Sequence, residues 1–79
     1  MNQEQKEYKE LLEQQLQNTK EQIQILDEMD FKLHEMKKIA EYAAGDGLSP
    51  EERSNSNKQI EQLKKEVDSL ETLRYANYH

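Results

Sequence analysis

The sequence predicts an all-α protein, an antiparallel hairpin of one long and one shorter helix. Glu, Gln, Lys and Leu dominate its 79 residues, a composition typical of long helices and coiled coils. Residues 1–44 contain neither glycine nor proline, so nothing there interrupts a helix. Both glycines and the single proline lie between Gly45 and Pro50. These observations predict one domain over residues 1–79 in which the chain reverses once.

The first helix is predicted over about residues 3–44, with apolar residues in a heptad pattern. They recur at spacings of four and three, first as Leu12, Leu16, Thr19, Ile23 and Leu26. The series continues at spacings of three and four through Met29, Leu33, Met36, Ala40 and Ala43. Two consecutive spacings of three, at residues 23, 26 and 29, predict local overwinding of a coiled coil.

Residues 45–49 are predicted to form the turn. Gly45 can adopt the left-handed conformation that closes a helix. Ser49 is a favourable N-cap, and Glu52 completes a capping box three residues later. With proline at the first helical position, these signals start a second helix over about residues 50–75.

The second helix has a single short apolar stripe, which is predicted to pack against the first. Residues 53–59 contain no apolar side chain, so the start of this helix is expected to be weakly held. The predicted hairpin core consists of Met29, Leu33, Met36, Ala40, Ile60, Leu63, Val67 and Leu70.

The unequal helix lengths, about 63 Å and 39 Å, predict self-association. The second helix reaches back only to about residue 19, while the apolar stripe of the first continues beyond it. We expect a homodimer or larger homo-oligomer with a four-helix-bundle core. The predicted self-association interface is Tyr8, Leu12, Leu16, Ile23 and Leu26. The alternative is a monomeric hairpin with a frayed N-terminal segment.

Composition and charge exclude several function classes. The net charge of −6 argues against a nucleic-acid partner, which requires a basic surface. No apolar run approaches the roughly 20 residues of a membrane span, and no signal peptide is visible. Without cysteine there is neither a disulfide framework nor a thiolate metal site. We therefore expect a cytoplasmic protein with no membrane contact and no cofactor.

Few residues have the chemistry that catalysis or metal binding requires. Asp27, Asp30 and His34 share one side of a helix and could provide metal ligands in a symmetric oligomer. A solvated polar face with a weak Asp–His contact is the favoured interpretation. No convergent polar set indicates a catalytic pocket, so neither a catalytic nor a metal site is predicted.

Three aromatic residues are candidate partner anchors. Phe31 lies off the predicted stripe, either covered by a second subunit or exposed to a partner. Tyr75 and Tyr78, with Leu73, end the second helix. They either clamp the open end of the hairpin against the first helix or serve as anchors for another protein.

Residues 26–68 resemble the N-terminal helical core of bacterial flagellins. The resemblance lies in Leu26-Asp27-Glu28-Met29, Leu33-x-x-Met36-x-x-Ile39-Ala40-x-x-Ala43-Ala44-Gly45, Leu48-Ser49 and Ile60-x-Gln62-Leu63-Lys64-x-Glu66-Val67-Asp68. It implies a flagellin-like hairpin that binds a chaperone, a regulator or flagellin itself. Ser56 replaces a usually apolar flagellin position, and Glu35 an arginine that immune receptors contact. The terminal segments that polymerise flagellin have no counterpart, so an ordinary filament is not expected.

A second resemblance is to short sporulation-type phosphatases, which are helical hairpins with a Ser-x-x-x-Asp motif. Asp68 matches the aspartate, but Lys64 occupies the serine position. The predicted function is therefore non-enzymatic protein–protein interaction, as a small bacterial regulator or adaptor that binds through apolar helix stripes. The alternatives are a phosphatase of aspartyl-phosphate response regulators and a structural flagellin-like subunit.

Overall fold

The protein is an antiparallel hairpin of two α-helices, which confirms the predicted fold class. A computed structural model describes the backbone of residues 2–78 and the side chains of residues 2–76. Helix α1 spans Gln3–Ala43 and helix α2 spans Pro50–Tyr78. The molecule measures 71 × 16 × 10 Å, with a radius of gyration of 20.0 Å. A globule of this length would have a radius of gyration of about 12 Å, so the protein is a rod.

Helix α1 is continuous and begins with a capping box. The Asn2 side chain accepts a hydrogen bond from the Gln5 amide at 2.8 Å, and the Gln5 side chain accepts one from the Asn2 amide at 3.2 Å. These bonds satisfy two amides that a helix start would otherwise leave unpaired. The helix continues without a break past Thr19, whose hydroxyl donates to the Gln15 carbonyl at 2.9 Å.

The turn between the helices reverses at Gly47, not at Gly45 as predicted. Gly47 has a φ of 85°, in the left-handed region that favours glycine. The Gly45 amide instead donates to the Tyr42 carbonyl at 3.1 Å, tightening the last turn of α1. The predicted capping box of α2 is present, because Ser49 Oγ accepts from the Glu52 amide at 3.1 Å.

The two helices meet along what we call the hairpin seam. On α1 its residues recur every three or four positions as Gln22, Ile25, Met29, Lys32, Met36, Ile39 and Ala43. On α2 they are Ser56, Ile60, Leu63, Val67, Leu70 and Arg74. All are buried or partly buried, and a regular alternation of three and four is the spacing of a coiled coil.

Three hydrogen bonds between the helices show how they are aligned. Tyr42 donates to Glu52 at 3.1 Å near the turn. Lys32 Nζ contacts Glu66 Oε1 at 3.0 Å in the middle of the hairpin. The Gln22 amide group donates to the Arg74 carbonyl at 3.0 Å near the open end. Partners on α1 therefore move towards the N-terminus as those on α2 move towards the C-terminus.

Part of the predicted hairpin core was wrong. Met29 and Met36 face α2, but Leu33, 49% exposed, and Ala40 lie outside the contact. Ile25 and Ile39 belong to the seam instead, and the aliphatic part of Lys32 fills the position between them. The covered residues keep a regular spacing of three and four through Ile25, so the spacing of the seam itself does not predict overwinding.

The start of α2 is better packed than its composition predicts. Ser56 is buried, 5% exposed, and its hydroxyl donates to the Glu52 carbonyl at 3.0 Å. A small residue on the seam lets the two helices approach closely while its own hydroxyl stays satisfied. Residues 53–59 are therefore fully helical and attached to α1 through one small polar side chain.

Candidate interaction surface

Helix α1 has a second apolar face that α2 does not cover, which we call the open stripe. It consists of Leu12, Leu16, Thr19, Ile23, Leu26, Leu33 and Ala40, and the charged residues Asp30 and Lys37 occupy the two intervening heptad positions of its second half. Its leucines and isoleucine are between 42% and 56% exposed. The stripe extends over 29 residues, from Leu12 to Ala40, or about 42 Å of helix.

The open stripe lies directly beside the hairpin seam. Ile23, Leu26 and Leu33 each follow a seam residue by one position. One position corresponds to a rotation of about 100° around an α-helix. Helix α1 therefore presents two adjacent apolar faces, the arrangement expected of a helix with two neighbours in a bundle.

The predicted self-association residues divide between these two faces. Leu12, Leu16, Ile23 and Leu26 belong to the open stripe and are exposed in the single chain. Tyr8, 65% exposed, instead lies on the extension of the hairpin seam, together with the exposed Leu11. Their role in self-association stays a prediction.

The N-terminal part of α1 has no partner within the chain. The bond between Gln22 and Arg74 lies only four residues before the end of α2 at Tyr78. In an antiparallel hairpin, α2 therefore ends opposite about residue 18 of α1. Residues 3–17, which we call the overhang, are exposed on all sides.

The candidate aromatic anchors lie away from both apolar faces. Phe31 is 66% exposed on the far side of α1 from the hairpin seam. Tyr75 is 63% exposed, so it does not clamp the end of the hairpin against α1. Leu73 is 48% exposed and lines an open groove beside Ile25. The side chain of Tyr78 lies outside the described residues.

Charged residues form one edge of the open stripe. Every seventh residue of α1 on this side is ionisable, in the order Lys6, Glu13, Lys20, Asp27, His34 and Glu41. All six side chains are exposed. We call this row the charged edge. Its sign alternates along the helix, with a histidine as the fifth member.

The predicted Asp–His contact is present but is a surface feature. His34 Nδ1 lies 3.4 Å from Asp30 Oδ1, and both side chains are more than half exposed. Within residues 2–78, no three His, Asp or Glu side chains converge as metal ligands would. Asp68 is likewise exposed, four residues after Lys64 on α2.

Glu52 and Tyr42, near the turn, have shifted pKa values because they are hydrogen-bonded to each other, and Glu52 is also bonded to the N-cap residue Ser49. Hydrogen bonds from Ser49, together with the Tyr42 hydroxyl, lower the pKa of Glu52 below its ordinary value of 4.5. The same bond to Glu52 raises the pKa of Tyr42. An open groove of about 320 Å³ lies alongside, lined by Ile39 and Ser56 among others. The carboxylate already has its partners, so this cluster caps α2.

No known protein family, curated protein or solved structure matches the chain. Within the described residues, neither helix has a stretch that is long and apolar enough to cross a membrane. The resemblance to flagellin stays a prediction. Any functional conclusion therefore rests on the residues and their geometry.

The sequence shows the apolar residues of the open stripe, but it does not separate them from the residues of the hairpin seam. The predicted series from Leu12 to Leu26 lies on the open stripe, whereas Met29 and Met36 lie on the hairpin seam. From residue 29 onward the predicted series alternates between the two faces, since Leu33 and Ala40 lie on the open stripe. Two interleaved heptad patterns, offset by one residue, produce this signal.

Proposed function

We propose that the protein is a non-enzymatic protein–protein interaction module, a small regulator or adaptor that pairs with other helices along α1. The observation that carries this proposal is the open stripe, an apolar face about 42 Å long that the hairpin leaves exposed. Isolated exposed apolar residues are common, but a row that repeats at heptad spacing is typical of a helix-binding surface.

The arrangement fits recognition of a helix better than recognition of a small molecule. Leu12, Leu16, Ile23 and Leu26 provide anchors at spacings of three, four and seven, as an amphipathic partner helix requires. The stripe runs along both the hairpin and the overhang, so a partner helix would lie beside α1 over most of its length. Such a partner binds by covering the stripe, or by displacing another helix already there.

A capture experiment with paired variants tests this function. Leu16→Glu combined with Leu33→Glu places a carboxylate at two separated points of the open stripe. Gln14→Glu combined with Gln24→Glu adds the same charge on the solvent-facing side of α1. Wild type and the control should capture the same proteins from the source cell, and the stripe variant should lose them. An identical set of captured proteins for all three would contradict the proposal.

A phosphatase assay tests the non-enzymatic part separately. The protein is incubated with a phosphorylated response regulator, and loss of phosphate is followed over time. The expected rate is that of the regulator alone. Faster dephosphorylation that Asp68→Ala abolishes would overturn the non-enzymatic assignment.

A further inference from the structure

We infer that the open stripe is occupied by the open stripe of a second copy of this chain, with the two α1 helices antiparallel and Ile23 opposite the partner's Leu26. This inference rests on the proposed function and names the occupant of its surface. It makes the protein a two-fold symmetric dimer in which α1 pairs with α1.

The dimer contact belongs to α1 because only α1 has a second apolar face. The apolar residues of α2 within the described side chains lie on the hairpin seam, except for Leu73 and alanine and tyrosine residues near its end. A symmetric dimer uses the same patch on both subunits. The open stripe is the longest exposed row of apolar residues at heptad spacing among the described residues, although Asp30 and Lys37 interrupt it in its second half.

The antiparallel direction follows from the charged edge. In an antiparallel pair, the same edge of both helices lies on the same side, so the two charged edges face each other. In a parallel pair, each charged edge would instead face the other edge of the stripe. That edge consists of uncharged residues, among them Gln15, Gln22 and Met29.

The charges also select one alignment. With Ile23 opposite the partner's Leu26, Lys20 and the partner's Asp27 lie within about 3 Å of each other along the axis. The same alignment places Lys6 beside the partner's Glu41, and Glu13 beside the partner's His34. Each of these contacts occurs twice by symmetry, and none joins two charges of the same sign.

The neighbouring alignments are repulsive. Sliding one helix by a heptad in one direction places Lys20 against the partner's Lys20, and Asp27 against the partner's Glu13. Sliding it in the other direction places Asp27 against the partner's Asp27. A like-charged pair at an interface opposes association, so the alternating signs of the charged edge disfavour both slips.

In the selected alignment the overhang also gains a neighbour. Leu16 lies opposite the partner's Leu33, so the overhang runs beside the turn end of the other hairpin. Residues 6–17, which have no partner in their own chain, meet the second copy on their stripe side. Residues 6–43 of α1 thereby contribute to the contact.

Sedimentation equilibrium of wild type and charge variants tests the inference. Wild type should have twice the 9.4 kDa chain mass. Lys20→Glu and Asp27→Lys should each raise the dimer dissociation constant about tenfold, since each turns two attractive contacts into repulsive ones. The double variant reverses both signs and should return to within about threefold of wild type.

A matched control separates pairing from net charge. Asp27→Lys and Glu10→Lys both change the net charge from −6 to −4, which reduces general repulsion between copies. Glu10 lies on the solvent-facing side of α1, so its variant should dimerise as well as or better than wild type. Asp27→Lys should dimerise less well despite the same net charge. Circular dichroism checks that all variants keep wild-type helicity.

The opposing results are distinct. A monomeric mass, a mass above two chains, or a dimer dissociation constant that neither charge reversal changes would overturn this inference. A monomer that still captures proteins through the open stripe would leave the proposed function intact. A charge-dependent dimer with no stripe-dependent capture would uphold the inference and contradict binding of other proteins.

Discussion

On α1, the hairpin seam and the open stripe lie side by side with the same heptad spacing, yet α2 covers only the seam. The two faces are similarly apolar, since the seam includes Gln22 and Lys32 and the open stripe is interrupted by Asp30 and Lys37. The exposed face holds most of the leucines of α1. Folding of one chain therefore leaves most of the leucines of this helix exposed. This difference supports the proposal that the open stripe serves association.

Truncating one buried and one exposed isoleucine should give the largest difference in stability between the two faces. Ile25 is 7% exposed on the seam, and Ile23 is 53% exposed on the open stripe. Ile25→Ala should lower the free energy of unfolding by about 2–3 kcal/mol. Ile23→Ala should change it by less than about 0.5 kcal/mol in dilute, monomeric samples. Urea unfolding followed by circular dichroism measures both. Equal losses would mean that the two faces are equally buried.

Removing the partner of Lys32 tests the polar part of the seam. The Lys32 side chain is 18% exposed, so Glu66→Ala leaves a largely buried lysine side chain without its carboxylate partner. We expect a loss of about 1–1.5 kcal/mol in urea unfolding. Glu61→Ala, at an exposed position on the same helix, should have an effect within about 0.5 kcal/mol. Lys32→Met should be neutral or stabilising, because it replaces the pair with apolar contact. A loss in Lys32→Met as large as in Glu66→Ala would argue against this account.

Removing the N-cap of each helix in turn compares the stability of the hairpin with that of the overhang. Ser49→Ala removes the cap of α2, and Asn2→Ala removes the cap of α1. Loss of the Ser49 cap should cost about 0.5–1 kcal/mol of hairpin stability. In dilute, monomeric samples the Asn2 variant should lose helicity in its first turn with an unchanged urea midpoint, because the overhang does not contact α2 within the chain. A shifted midpoint for Asn2→Ala would show that the overhang contributes to hairpin folding.

The smallest expected effect is on pH dependence near the turn. Because the pKa of Glu52 is lowered in the folded chain, its contribution is fully present above the ordinary carboxyl pKa of 4.5. That contribution is lost as the pH falls through the lower, folded pKa. Glu52→Gln should therefore flatten the fall of thermal stability on acidification, while Glu51→Gln should not. Identical acid profiles for both variants would contradict the prediction.

The helices and the turn could be predicted because their signals are local. A stretch without glycine or proline, a clustered turn and a Ser-x-x-Glu cap each act within a few residues. The sequence does not say which glycine reverses the chain, since Gly45 and Gly47 both permit a left-handed φ. That choice depends on the Gly45 amide bonding to Tyr42.

The choice of covered face could not be predicted, because it depends on contacts between distant residues. Leu33 is a better core residue than Lys32 by composition alone. Lys32 lies on the seam because Glu66, 34 residues away, accepts its ammonium hydrogen bond. A single sequence shows two interleaved heptad patterns on α1 and does not indicate which of them packs against α2.

The ion pair between Lys32 and Glu66 also has a consequence for the connection between the helices. A slip of α2 by one heptad would place Gln59 or Leu73 beside the ammonium, and neither provides a carboxylate. The ion pair therefore favours the same axial alignment of the two helices that the short loop imposes. Two separate peptides, divided at Gly47, would therefore still align with Lys32 beside Glu66. The loop mainly raises the effective concentration of one helix at the other.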